Sequence, residues 1–121
     1  MITNPNPTFP VPQTVEEAER ILRTIIEQHP DRRNPKHGIQ CVYTSPDDPT
    51  HHCLVGQFLW EIGLPCPDPS DDDINGMSVH TLMMDRGYWP ELTDEVGNCL
   101  THYQARADRP SPSLSWDGVL D

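Results

Sequence analysis

Positive charge is scarce in this 121-residue chain. Lysine and arginine together number 8, against 19 aspartates and glutamates, so the formal net charge is −11 with histidine neutral. Lys36 is the only lysine, and no basic run exceeds Arg32-Arg33. Double-stranded DNA is held by Lys and Arg that neutralise phosphates, so the composition argues against direct nucleic-acid binding. An anionic membrane surface repels such a chain as well. Long apolar runs are also missing, and none approaches the ~20 residues that span a bilayer. Residues 1–12 carry neither the basic start nor the apolar stretch of a secretory signal. The expected setting is therefore the cytoplasm, with the four cysteines as reduced thiols. Three chemical signatures are absent: paired Cys-x-x-Cys spacing, a phosphate-cradling glycine loop, and the His-x-Glu with Pro-Cys-x-x-Cys pattern of zinc deaminases.

Proline, by contrast, is plentiful at 14, with four within residues 1–12. That segment reads as a flexible arm. Thr14-Val15-Glu16-Glu17 has the spacing of a capping box. Val15, Ala18, Leu22, Ile25 and Ile26 then recur at helical spacing, and Pro30 closes the run, so a helix is expected over 15–28. Residues 39–44 alternate in a β-prone pattern, and Ser45-Pro46-Asp47-Asp48-Pro49 is a turn. Residues 51–55 can return as a second strand, which makes a hairpin. A short helix is expected from Gly56 to a stop at Gly63, and another is capped by Ser78 and ended by Gly87. The last long helix is expected over 92–107, with Leu92, Val96, Cys99, Leu100, Tyr103 and Ala107 as its buried stripe. Pro110 and Pro112 break it, and Trp116 and Leu120 can dock back on a terminal turn. The expected class is α+β: a small two-stranded antiparallel hairpin packed with three to five helices. One compact domain over 13–121 would contain a Pro-rich connection at 109–114.

Several short motifs occur in a telling order. They are Cys41-Val42-Tyr43, Cys53-Leu54-Val55-Gly56, Gly76-Met77-Ser78-Val79-His80-Thr81-Leu82, Leu100-Thr101-His102-Tyr103-Gln104 and Trp116-Asp117-Gly118-Val119-Leu120. In this the chain resembles a family of short uncharacterised proteins of tailed phages and prophage-bearing bacteria. The likeness covers roughly residues 15–120. It departs at the longer turn between the two cysteines and at Asn75, where the family favours Glu. The resemblance implies a phage or prophage setting and carries no activity with it.

Four constellations stand as candidate sites. Cys41, Cys53, Cys66, His51 and His52 supply the thiolate and imidazole ligands that zinc prefers; the plainer alternative is buried thiols acting as small hydrophobes. Asp71-x-Asp73-x-Asn75-Gly76 matches the first six positions of a calcium loop, but Leu82 stands where a bidentate Glu would close it, which ranks calcium behind zinc. Nucleophilic catalysis by Cys53 would need a base and an oxyanion site, and neither has a local signature. Among the aromatics, Trp60 and Trp116 are expected in the core, with Trp89 partly exposed beside Pro90.

The leading expectation is a non-enzymatic accessory protein that binds a protein partner with a basic surface. Asp71, Asp72, Asp73 and Trp89 are its candidate contact residues, and no cofactor is required. The alternative is a small zinc-stabilised binding module. Behind it stand a nucleic-acid-mimicking inhibitor and a small Cys/His enzyme.

Overall fold

The computed structural model describes residues 1–37, 40–48, 50–71, 73–108 and 115–120, with Lys36, His37, Gln40, Cys41 and Leu120 as backbone only. The expected ligand side chain of Cys41, the candidate contact Asp72, the connection 109–114 and the docking of the Leu120 side chain lie outside this description.

Among the described residues four helices make the body: α1 (Val15–Gln28), α2 (Leu54–Glu61), α3 (Val79–Arg86) and α4 (Asp94–Ala107), followed by a 3₁₀ turn at Trp116–Leu120. Each helix starts where a side chain accepts a bond from an otherwise orphaned amide. Thr14 accepts from the Glu17 N–H, Ser78 from Thr81 and Thr93 from Val96, each at 3.2 Å. Glu17 reaches back one residue further than a capping box requires, to the Gln13 amide. Gly87 ends α3 in the left-handed conformation, φ 69°, as a glycine terminator should.

The α+β expectation is corrected: the protein is helical. β1 (Lys36–His37) and β2 (Gln40–Cys41) pair over two residues each, which is too short a ladder to be a layer on which helices can pack. The expected hairpin between 39–44 and 51–55 survives as a single bridge, Thr44 to His52. Two backbone bonds flank it, Ser45 N to His51 O at 2.8 Å and Cys53 N to Tyr43 O at 2.9 Å. The chain then leaves the ladder because Cys53 caps a helix, its Sγ accepting from the Gly56 amide at 3.1 Å. Leu54, Val55, Phe58 and Leu59 share one helical face and are all fully buried. A helix buries that i, i+1, i+4, i+5 pattern on one side, whereas a strand would split it between two faces.

α1 packs on α2 and α4, α2 on α4, and α3 on α4, while the final turn lies against α1 and α4. Ala18, Leu22, Ile25 and Ile26 of α1 meet this core, with Val96, Leu100 and Ala107 from α4. Each fully buried Leu, Ile or Phe contributes about 1.5–3 kcal/mol. Residues 1–12, expected as a flexible arm, lie along the body at two places. Ile2 exchanges both backbone bonds with Cys66 (2.9 and 2.7 Å), and the Thr8 and Phe9 amides donate to the Glu61 carbonyl.

The tryptophans divide differently from expectation. Trp116 is fully buried, as expected, but Trp60 is only half-buried. Trp89 is buried at 3% exposure, so it is no surface anchor. Its φ of 53° turns the chain through the left-handed region, and its indole N–H donates to the Pro65 carbonyl at 2.7 Å. A buried indole needs such a partner, and the Pro65 loop supplies it. Among the described residues no helix is long and apolar enough to cross a membrane.

Candidate functional site

Thr44 organises the Cys/His region. Its hydroxyl donates to the Pro67 carbonyl at 2.9 Å, and its oxygen lies 2.9 Å from His52 Nδ1. Because the single Thr44 proton is spent on Pro67, His52 Nδ1 must be the donor in the second bond. The neutral ring therefore carries its proton on Nδ1, and Nε2 is a bare acceptor. Cys66 Sγ stands 3.8 Å from the same Nδ1.

Among the described residues, His51, His52, Cys53 and Cys66 do not assemble into a ligand shell. Among the described residues no three His, Cys, Asp or Glu side chains are grouped to hold a metal ion. His51 turns away from His52 and donates from Nε2 to the Arg33 carbonyl at 2.8 Å. Cys53 is committed to its capping bond. Burial pushes the Cys66 thiol up to about 12 and raises Cys53 well above the usual thiol range. Metal ligation and nucleophilic attack both use the thiolate, and burial strongly disfavours that form at both positions.

The candidate calcium loop is spent on other bonds. Asn75 Oδ1 accepts from the Tyr43 amide at 2.9 Å, and its Nδ2 donates to the carbonyls of Asp68 and Asp71. Asp71 accepts from the Asp68 amide and lies 3.0 Å from the Met1 amino group. Asp73 pairs with Arg86 at 3.7 Å, both exposed. The acidic loop thus uses its side chains to hold its own shape, and Asp71 and Asp73 each face a cation of this same chain.

What the sequence reading missed is a cleft of about 480 Å³ between residues 2–3 and the flank of α2, lined by Ile2, Thr3, Thr50, His52, Gln57 and Trp60. Its walls come from two stretches far apart in sequence, residues 2–3 and residues 50–60. The only local signal was Gln57, a lone amide inside the apolar run 54–60. His52 is 2% exposed and stacks on Trp60 with ring centroids 5.4 Å apart. Burial is the main cause that lowers its pKa to about 4; Arg32 and His51 add to it.

A pH dependence follows. An unfolded histidine titrates near 6.5, while His52 in the fold resists protonation down to about 4. Between these values the unfolded state binds the proton and the native state does not, so stability falls as pH drops through that window. His29, lowered chiefly by burial, acts in the same direction. Urea unfolding at a series of pH values should show the midpoint falling below about pH 6.5. His52→Gln should flatten part of that fall, and an unchanged slope would mean that His52 titrates normally.

No protein-family model matches the chain, and no match was found among curated proteins or solved structures.

Proposed function

We propose that this chain is a cytoplasmic, non-enzymatic accessory protein of phage or prophage type that binds a protein partner bearing a basic surface. The observation that carries the reading is where the negative charge stands. Exposed carboxylates recur along the described chain, among them Asp47, Asp48, Asp73, Glu91, Asp94 and Glu95, on a chain of net charge −11. Such a field raises the rate at which a basic surface is met and suppresses acidic competitors. The buried, protonated thiols support a binding role over a catalytic one. The phage or prophage setting rests on the ordered motifs from Cys41 to Leu120.

The test is affinity capture from bacterial lysate with the immobilised full chain, followed by identification of the captured protein. A basic partner should be retained at low ionic strength and released as salt screens the contact. The combined variant Asp47→Asn, Glu91→Gln, Glu95→Gln should capture less of it. Capture that ignores both salt and the variant would overturn the acidic-surface reading, as would a salt-resistant shift of duplex DNA.

A further inference from the structure

The cleft beside α2 is lined by three acceptors: two belong to groups whose only proton is spent elsewhere, and the third is an amide oxygen. His52 Nδ1 donates to Thr44, so Nε2 carries a lone pair. No buried side-chain nitrogen or oxygen among the described residues lacks a partner. His52 Nε2 makes no bond there, so it keeps access to solvent, and this cleft is what the ring lines. Gln57 donates its Nε2 to Glu61 Oε1 at 2.8 Å, which fixes the amide and leaves its carbonyl oxygen to accept. Thr50 gives its hydroxyl proton to Asp48 Oδ1 at 2.7 Å, so its oxygen can only accept. Two of these three acceptors are thus backed by a carboxylate. The remaining polar groups of the lining are the second Nε2 proton of Gln57, the exposed Thr3 hydroxyl and the Trp60 indole N–H. Arg32 and His51 lie near enough to oppose protonation of His52, yet neither lines the cleft.

We propose that this cleft receives the ammonium group of a lysine side chain presented by the basic partner. A primary ammonium brings three donors and no acceptor, which matches the oxygens of Thr50 and Gln57 and the Nε2 of His52. The alkyl stem of a lysine covers apolar surface, here Ile2 and the half-buried Trp60, whose ring also attracts a cation. His52 remains uncharged throughout the physiological range and does not repel the guest. The net charge of −11 favours a cation over a neutral polyol of similar size. The inference rests on the reading of the chain as a binder of basic proteins and names the anchor of that contact.

The experiment is an NMR titration of the ¹⁵N-labelled full chain with Nα-acetyl-lysine N-methylamide. Nα-acetyl-norleucine N-methylamide, with a similar apolar stem and no ammonium, is the control. The Trp60 indole signal and the Gln57 side-chain amide should shift to saturation in the millimolar range. The norleucine compound should bind ~10-fold more weakly, or less tightly still. Gln57→Met should weaken lysine binding several-fold. If Gln57→Met does not fold, Thr50→Val, at an exposed position, removes a second acceptor and should do the same. Equal binding of the norleucine compound would overturn the inference in favour of a plain apolar groove. Saturation by methyl glucoside without response to lysine would overturn it in favour of a polyol site, and silence towards all three probes would overturn it outright. Lysine failure with salt-sensitive partner capture intact removes only the anchor. Lysine binding without any capture removes only the partner reading.

Discussion

Trp116→Ala is expected to lower the melting temperature by about 15 °C, since truncating a core Trp costs ~3–5 kcal/mol and each kcal/mol moves a domain of this size by several degrees. Trp116 is fully buried against α1 and α4. Its indole N–H donates to Asn34 Oδ1 at 3.0 Å, its amide donates to the Arg32 carbonyl at 2.8 Å, and the Arg32 guanidinium carbon lies 5.5 Å from its ring centre. The His29 ring meets it edge-on, with centroids 6.0 Å apart. Removing the ring opens a cavity between the two long helices and frees the chain end that the ring anchors. Trp116→Phe should be milder, because it keeps most of the apolar volume and loses one hydrogen bond of about 1 kcal/mol. Thermal denaturation followed by circular dichroism measures both. A melting temperature for Trp116→Ala within a degree or two of the parent would show that the final turn does not close the core.

Gly56→Ala is the second large effect, and its sign opposes helix propensity. Alanine in place of glycine inside a helix ordinarily gains about 1 kcal/mol. At position 56 a Cβ would stand 2.6 Å from the Tyr43 carbonyl oxygen and 3.3 Å from both Cys66 Sγ and His52 Cβ. That carbonyl already accepts the Cys53 amide, so it cannot withdraw without breaking the bond that leads into α2. Overpacking of this kind costs ~1–3 kcal/mol. With a backbone atom at 2.6 Å the cost lies at the upper end of that range, so after the propensity gain the expected net loss is about 2 kcal/mol. Gly97→Ala is the contrast. Its Cβ would approach Met83 Sδ at 2.5 Å, but that atom is the far end of a flexible, half-buried side chain that can swing aside. Urea midpoints should fall clearly for Gly56→Ala and stay within about 0.5–1 kcal/mol of the parent for Gly97→Ala. Equal midpoints at both sites would mean that the Tyr43 backbone yields freely.

This glycine also shows where sequence reading succeeds and where it stops. The helices were legible because their signals are local: Thr14 before 15–28, Ser78 before Val79, and Gly87 after Arg86. The segment 51–55 misled because His51 to Val55 is compatible with a strand. Only the arrival of Asn34 at the Leu54 amide, 20 residues away, and the capping by Cys53 turn it into a helix start. The burial of Trp89 is hidden from the sequence for a similar reason. The Pro65 carbonyl that receives its indole is distant in sequence, and a non-glycine residue at φ 53° has no local sequence mark. The cleft was invisible because residues 2–3, 50–52 and 57–60 form it jointly. Its acceptor character depends on which partner takes each proton, which no spacing reveals.

Asn34 binds three parts of the chain with one amide. Its Oδ1 accepts from the Leu54 N–H at 2.8 Å and from the Trp116 indole, and its Nδ2 donates to Asp108. The last two contacts span sequence separations of 82 and 74 residues. Bonds of that range form late, because the intervening chain must first be brought to order. During synthesis Asn34 therefore has its full set of partners only after residue 116 has left the ribosome. Until then the nascent chain carries an unfinished core, with the seat of Trp116 against α1 and α4 open to whatever binds exposed hydrophobic surface.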